Sequence, residues 1–228
     1  CGLKAAGAPC EYEGTFYGLH GNLSHIPAEE VSAVIEENGD SPCAVMKGKV
    51  RDAVIFGDKL CLEREIRCSY KERKITLKDR VTNEGFKRVR QMILYHCNIG
   101  YPVLSPDSEI FIPALETKAR NVHAQEGIDS WMKVQEADAD YEEMCYYHKL
   151  KPDEKNHSVA AIYNPDLDLG IAIEIDLSTL DHFVQWKMMG AGDYVMGLEP
   201  SNSTIDGIDD AVKKWINEIP GAGRNKRI

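Results

Sequence analysis

Apolar and polar residues alternate along much of the chain, which predicts a protein built from short β-strands. In the first half, the predicted strands cover residues 31–36, 44–56, 60–70 and 74–82. In the second half they cover 89–101, 143–149, 159–163, 169–177, 180–188 and an apolar run that ends at Glu199. Only residues 208–218 have helical character. The pattern therefore predicts an all-β chain folded as an antiparallel β-sandwich, with a single domain over residues 1–228.

Turn-forming residues separate the predicted strands of the first half. These separators are Asn38-Gly39-Asp40, Gly57-Asp58 and the charged tip Lys71-Glu72-Arg73. We find no internal repeat and no linker-like stretch, which supports the prediction of one domain.

One face of the predicted strand at 89–101 changes from apolar to polar along its length. Met92 and Leu94 are followed on that face by His96 and Asn98, because alternate residues of a strand point to the same side. A strand that leaves a core and enters a cleft has this pattern. The pattern supports equally well the alternative that His96 lies in the core with its ring nitrogens hydrogen-bonded there.

A second candidate group surrounds a glycine-rich turn at residues 190–192. Gln185 and Lys187 precede the turn, and Asp193 follows it. The apolar strand after the turn reaches Glu199 and then Pro200, which cannot donate a hydrogen bond to a neighbouring strand. We therefore predict that Glu199 ends a strand, as a pocket residue or as an ordinary strand terminus.

His20 lies between Gly18 and Gly21 in a loop-like stretch. Small neighbours leave room for a ligand to approach the imidazole ring, so His20 is a third candidate. An exposed turn histidine is the alternative that these residues support equally.

Composition excludes several classes of partner. The chain has 228 residues, with 27 Lys and Arg against 37 Asp and Glu, a formal net charge of −10. This charge argues against nucleic acid as a partner, since phosphate binding needs clustered cations. No stretch is long and apolar enough to span a membrane. The seven cysteines are scattered without paired spacing, which favours a reducing, cytoplasmic compartment. The sequence leaves the oligomeric state open, a homodimer included.

The candidate residues suit general acid–base chemistry. Glu199, His96 and His20 combine a carboxyl group with imidazoles, which can give and take protons near neutral pH. The secondary candidates, which would line a pocket, are Asn98, His148, Gln185, Lys187 and Asp193. Such groups also bind metals, but no His-x-His or His-Glu-x-x-His spacing occurs, so no metal site is predicted. No phosphate-binding glycine loop occurs either, and no cofactor is predicted.

Four stretches of the chain resemble the aldose 1-epimerase (galactose mutarotase)-like superfamily, and most closely its uncharacterised branch. They are Gly18-Leu19-His20-Gly21-Asn22-Leu23-Ser24, Val81-Thr82-Asn83-Glu84-Gly85, the segment from Leu94 to Pro102, and the segment from Gln185 to Asn202. The resemblance implies a large antiparallel β-sandwich with a small-molecule carbohydrate in a cleft. The family's domain extends further at both ends, so the resemblance also implies a trimmed or naturally short form.

The resemblance also implies roles for individual residues. Glu199 matches the base that takes the proton of the anomeric hydroxyl, and His96 matches the acid that protonates the ring oxygen. His20 matches the histidine that orients the sugar. We expect Lys187 in the cleft to favour an acidic sugar. The family's sugar-binding aspartate has no clear counterpart, and residues 147–149, which include His148, occupy that part of the chain. The alternatives are a carbohydrate-binding protein without turnover and a different sugar isomerase or lyase on the same scaffold.

Overall fold

Antiparallel strands account for nearly all the regular structure in a computed structural model of the chain, which describes residues 1–37, 41–214, 218–219 and 225–227. The predicted turn at 38–40 and residues 215–217 of the predicted helix lie outside the described residues. The first nine strands are β1 (Gly2–Leu3), β2 (Cys10–Tyr12), β3 (Thr15–Tyr17), β4 (Glu29–Glu36), β5 (Cys43–Ala53), β6 (Lys59–Ser69), β7 (Ile75–Asn83), β8 (Val89–Arg90) and β9 (Met92–Ile93).

The remaining strands complete the chain. They are β10 (Cys97–Gly100), β11 (Glu109–Phe111), β12 (Ala114–Ala119), β13 (Met144–Leu150), β14 (His157–Asn164), β15 (Leu169–Asp176), β16 (His182–Gly190), β17 (Asp193–Ser201), β18 (Glu218–Ile219) and β19 (Asn225–Arg227). The α-helices are α1 (Val122–Glu126) and α2 (Ile208–Lys214), and the 3₁₀ turns are Leu23–His25 and Ile128–Ser130. The expectation of an all-β, antiparallel fold is confirmed.

Two local predictions were wrong. The continuous strand expected at 89–101 is divided into β8, β9 and β10. The strand expected to end at Glu199 continues through Pro200 to Ser201 in β17. The division between β9 and β10 has a physical cause at Pro200, which is described below.

The chain divides into two compact units, one of residues 1–93 and 204–228 and the other of residues 94–203. The single-domain organisation stays a prediction. No helix among the described residues is long and apolar enough to cross a membrane.

The first unit is organised around a five-stranded sheet of order β19-β7-β6-β5-β4. Leu62 on β6 lies between Val50 and Val81 in the register, and Leu62 and Val81 are fully buried. Further along the same face, Met46 on β5 is half exposed. The core of this unit thus occupies one part of a sheet face rather than all of it.

The second unit contains a five-stranded sheet of order β10-β17-β16-β13-β12 and a three-stranded sheet of order β11-β14-β15. On one face of the five-stranded sheet, Phe183 and Tyr146 are buried apolar residues. On the three-stranded sheet, Ala160 and Ile162 are buried. The other face of the five-stranded sheet presents Glu199, since side chains alternate along β17.

Leu62→Ala should lower the free energy of unfolding by about 2–5 kcal/mol, because a fully buried side chain leaves a cavity when it is truncated. Met46→Ala is the matched control on the same sheet face and should cost less than about 1 kcal/mol. Urea denaturation followed by circular dichroism measures both. Equal losses in the two variants would contradict the assignment of the core.

Candidate functional site

Pro200 interrupts the hydrogen bonding between β17 and the segment that precedes β10. Its carbonyl accepts a hydrogen bond from the Tyr95 N–H at 2.9 Å. The reciprocal bond, from residue 200 to the Tyr95 carbonyl, cannot form because proline has no N–H. The Tyr95 carbonyl instead accepts from the Cys97 N–H at 3.1 Å, which closes a tight turn centred on His96. The predicted strand is therefore broken at this point.

The register of the two strands is the same on both sides of this break. Cys97 lies opposite Leu198, and Leu94 forms an isolated bridge with Ser201. His96 is consequently opposite Glu199. Directly opposed residues of antiparallel strands project to the same face and lie within side-chain contact. The His96 Nε2 lies 3.1 Å from the Glu199 Oε1.

Asn98 determines which ring nitrogen of His96 carries the proton. Its Oδ1 lies 2.6 Å from the His96 Nδ1, and a carbonyl oxygen only accepts, so Nδ1–H donates. In the neutral ring, Nε2 then presents a lone pair to Glu199. The Glu199 Oε1 is buried and accepts no hydrogen bond from the described residues. This geometry fits a protonated Glu199 whose O–H donates to Nε2.

Burial favours the neutral forms of both groups. Removal from water, with a further contribution from the charge of Glu143, raises the pKa of Glu199 to about 8. Removal from water lowers the pKa of His96, and the Asn98 hydrogen bond opposes this shift in part. Near neutral pH the pair therefore holds one proton that can move between the carboxyl group and the imidazole.

Gly197 provides the space that the Glu199 carboxyl group occupies. It precedes Glu199 by two positions on β17 and so lies on the same face. A Cβ atom at position 197 would approach the Glu199 Oε1 to 2.3 Å. Any side chain larger than hydrogen at position 197 would therefore displace the carboxyl group.

Trp186 extends the site across the sheet. It lies opposite Gly197, and its ring meets that of His96 edge-on with centroids 5.4 Å apart. Its Nε1–H donates to the Glu143 Oε2 at 2.6 Å, and the Glu143 Oε1 lies 4.0 Å from Arg120. Trp186 is thus held in a fixed orientation beside the acid–base pair.

An open groove of about 860 Å³ adjoins Trp186. Its lining includes Tyr141, Glu142, Glu143, Trp186 and Asp193. Asp193 shares the sheet face of Glu199, but five residues of β17 lie between them, so they are about 20 Å apart along an extended strand. Asp193 therefore lies at the far end of the face rather than beside the pair.

Three other predicted site residues lie on the opposite face of the sheet. Gln185 and Lys187 alternate with Trp186 on β16, and His148 shares their side of the sheet on β13. The His148 Nε2 lies 3.2 Å from the Gln185 Oε1. Gln185 donates to the Trp131 carbonyl at 3.0 Å. These side chains form an internal polar network and do not join His96, Asn98 and Glu199.

Lys187 is fully buried on the same face of the sheet as His148 and Gln185. Its ammonium group donates to the carbonyls of Lys133 at 2.7 Å and Ser130 at 3.3 Å. Burial lowers its pKa to about 8, and burial likewise lowers the pKa of His148 to about 4. The expectation of Lys187 in the same cleft as Glu199 is not met by this geometry.

His20 belongs to the other unit, where it adopts a left-handed backbone conformation with φ of 60°. Its role stays a prediction. Among the described residues, no group of three His, Cys, Asp or Glu side chains could hold a metal ion.

Trp186, Glu143 and Gly197 were not among the site residues predicted from the sequence. A signal for two of them was present, because a tight hairpin at residues 190–193 places Trp186 opposite Gly197. This pairing puts Trp186 on the same sheet face as Glu199, and its neighbours Gln185 and Lys187 on the opposite face. The alternation of side chains on both strands of the hairpin therefore indicates Trp186 as the site residue. Glu143 carries no comparable local signal.

Comparison with known proteins identifies the fold. Residues 1–215 match the family described as a domain of unknown function, DUF4432. No curated protein matches the sequence significantly. A crystal structure of a "putative aldose 1-epimerase" from Klebsiella pneumoniae superposes with a TM-score of 0.92 at 25% sequence identity, over 98% of this chain and 60% of that one. The chain thus spans less than two thirds of that protein.

More distant structures share the fold. A galactose mutarotase-like protein from Clostridium acetobutylicum has a TM-score of 0.67 at 12% identity, over 99% of this chain and 77% of that one. A galactose mutarotase-like protein from Lactobacillus casei has a TM-score of 0.54 at 12% identity, over 96% of this chain and 78% of that one. The predicted mutarotase-like β-sandwich and the predicted relationship to this superfamily are confirmed.

Gly197→Ala should move the Glu199 carboxyl group out of its buried position, because the new methyl group needs the space of Oε1. The pKa of Glu199 should then fall from about 8 towards its ordinary value, as measured by carbon-detected NMR titration. Gly100→Ala is the matched control, since a Cβ there meets its nearest atom at 3.6 Å. An unchanged Glu199 titration in Gly197→Ala would contradict this account.

Lys187→Met should remove a pH dependence of stability. The pKa of Lys187 is about 8 in the folded protein and 10.5 ordinarily, so between these values only the unfolded chain binds the proton. Stability therefore rises with pH across this window, by at most about 1.4 kcal/mol per pH unit.

Measured by denaturation between pH 8 and 10, the stability of the wild type and of the exposed-lysine control Lys149→Met should rise with pH relative to the stability of Lys187→Met. The comparison is made between variants because burial raises the pKa of the Cys145 thiol to about 12, which gives all of them the same opposing slope above about pH 9. An equal slope in Lys187→Met and the wild type would argue against a buried ammonium group. Because the two sites are on opposite faces, the titration of Glu199 should not change.

Proposed function

The chain belongs to the DUF4432 family, and we propose that it interconverts the anomers of an aldose at the His96–Glu199 pair. The observation that carries this proposal is the 3.1 Å contact between the His96 Nε2 and the Glu199 Oε1. Opening a sugar ring requires one group to remove a proton from the anomeric hydroxyl and another to protonate the ring oxygen. A pair that shares one proton meets this requirement without a cofactor.

The proton of the resting pair lies on the carboxyl group. Transfer across the contact to Nε2 gives a carboxylate and an imidazolium, which are the base and the acid that the superfamily resemblance implies. The carboxylate then accepts the proton of the anomeric hydroxyl while the imidazolium protonates the ring oxygen. The C1–O5 bond breaks and an open-chain aldehyde forms.

Rotation about the C1–C2 bond exposes the other face of the aldehyde. Reclosure reverses both proton transfers, so the pair is returned to its original protonation state. Asn98 supports the reaction by holding the imidazole through Nδ1, which keeps Nε2 directed at Glu199. Trp186 offers an aromatic surface beside the pair, on which the apolar face of a sugar ring can pack.

The names of the structural neighbours support a carbohydrate as the substrate class. The Klebsiella protein is called a "putative aldose 1-epimerase", and the Clostridium and Lactobacillus proteins are called galactose mutarotase-like. The match to the first of these proteins covers almost all of the present chain.

Glu199→Gln should reduce the rate of anomer exchange at least about 100-fold, because an amide cannot accept the anomeric proton. Two-dimensional exchange NMR on a panel of neutral and acidic sugars measures the rate directly. Glu154→Gln, which changes an exposed carboxylate, should leave the rate unchanged. Binding without acceleration for any sugar would favour the non-catalytic carbohydrate-binding protein instead.

The pH dependence of exchange gives a second criterion for the same pair. The active pair holds one proton, so kcat/KM should fall as pH rises above about 8, where Glu199 loses its proton. It should also fall at low pH, below the depressed pKa of His96, where both groups are protonated. The two apparent pKa values of this pH profile belong to the His96–Glu199 pair as a whole and not to either residue alone.

A further inference from the structure

Glu143 is a charged residue that takes no part in the proposed proton transfers, yet it contacts a neighbour of the acid–base pair. It immediately precedes β13, and its Oε2 accepts a hydrogen bond of 2.6 Å from the Trp186 Nε1–H. A hydrogen bond to a charged acceptor is shorter and stronger than a neutral one. The Trp186 ring in turn meets the His96 ring with centroids 5.4 Å apart. Glu143 and His96 are therefore connected through one indole ring.

This hydrogen bond selects the orientation of the indole as well as its position. The N–H group lies on one edge of the ring and is the only polar donor of the side chain, so an acceptor beside that edge favours one rotation of the ring. The planes of Trp186 and His96 are inclined at 72°, an edge-to-face arrangement that aromatic rings prefer. A rotated indole would lose this contact with His96.

The imidazole of His96 needs lateral support because the backbone around it is irregular. It lies in the tight turn that the Cys97 N–H closes on the Tyr95 carbonyl, between two strands rather than within one. Asn98 binds the ring through Nδ1, and a single hydrogen bond leaves the ring free to tilt. The indole restricts that tilt, so Nε2 stays directed at Glu199.

Glu143 is itself restrained, although 55% of its side chain is exposed. Its Oε1 lies 4.0 Å from the Arg120 Nη1. The Arg120 backbone N–H donates to the Cys145 carbonyl at 3.0 Å, and Cys145 is opposite Trp186 in the sheet. An exposed ion pair contributes little to stability. The contact with Arg120 therefore serves to direct the carboxylate, whose other oxygen binds the indole.

The negative charge of Glu143 also acts on the acid–base pair. Burial is the main reason that the pKa of Glu199 is raised, and the charge of Glu143 adds to it. Other titratable groups of the same unit that interact with Glu199 are His96, at 3.1 Å, and the thiols of Cys97 and Cys145. Burial raises the pKa of both thiols, so they are neutral near pH 7. Glu143 is thus an anion that favours the proton on Glu199 in the resting pair.

We propose that Glu143 is a positioning residue for proton transfer between His96 and Glu199, because it orients Trp186 against the imidazole and places a negative charge near the carboxyl group. This inference rests on the proposed function for its consequence in catalysis. Glu143 needs no contact with the sugar. Its charge favours the resting proton on Glu199, and the oriented indole keeps Nε2 in place to receive that proton.

Glu143→Gln removes the charge and keeps an oxygen that accepts from the Trp186 N–H. The pKa of Glu199 should then fall from about 8 by about 0.3–0.5 pH unit, roughly the effect of one partly screened charge. Carbon-detected NMR titration at low salt measures this shift. Glu142→Gln is the matched control, since that carboxylate is 79% exposed and lies beside His123. An unchanged pKa in Glu143→Gln, or an equal shift in the control, would overturn the proposal.

Glu143→Leu removes both the charge and the hydrogen bond. The indole N–H signal of Trp186 should move upfield in this variant and stay near its wild-type position in Glu143→Gln. The kcat for anomer exchange should fall about tenfold in Glu143→Leu and less than about threefold in Glu143→Gln, with KM unchanged in both, because the defect is one of alignment. A wild-type indole signal in Glu143→Leu would contradict the proposal. The Glu143→Gln titration decides it even if the leucine variant fails to fold.

The titration and the indole signal are recorded without a sugar, so they test Glu143 separately from the proposed function. If both respond as expected and the wild type does not accelerate anomer exchange, Glu143 is retained as the residue that positions the pair and the epimerase is rejected. Accelerated exchange with a wild-type kcat in Glu143→Leu would retain the epimerase and reject the positioning role.

Discussion

The candidate site depends on the strand register that places His96 opposite Glu199, and this register persists although Pro200 cannot make one of its hydrogen bonds. Without an N–H at residue 200, the Tyr95 carbonyl turns to Cys97 and the chain folds tightly at His96. A missing backbone bond typically costs about 0.5–1.5 kcal/mol, and the Cys97 bond recovers part of it. The register nevertheless continues to the Leu94–Ser201 bridge. The break therefore loosens the backbone at His96 without moving its side chain away from Glu199.

The sheet keeps two buried titratable groups apart. Glu199 and Lys187 are on neighbouring strands, yet they point to opposite faces. On one face, the ammonium group of Lys187 is bound by carbonyls. On the other, Glu199 has an imidazole as its neighbour. Side by side, the two would form an ion pair that lowers the pKa of Glu199. Their separation is what allows a carboxyl group to be a proton donor near neutral pH.

The fold was predictable from the sequence because strand alternation is a local property. The placement of His96 and Asn98 on one face also survived, since the break in the strand preserved the register. The break in the strand predicted at 89–101 could not be predicted from that segment alone, because its cause is Pro200 on the neighbouring strand β17. The grouping of Gln185 and Lys187 with Glu199 failed for a different reason. Gln185 and Lys187 were grouped with Glu199 because they are near it in the sequence. The sheet face on which each side chain lies is decided instead by the alternation of side chains along the strand.

The charge of the groove and the proton of the pair are physically linked. Glu143 lines the groove and also contributes to the raised pKa of Glu199. A ligand that brings negative charge near Glu143 would raise the pKa further and keep the base protonated. A ligand that brings positive charge would offset Glu143 and favour the ionised carboxylate, with the proton on His96.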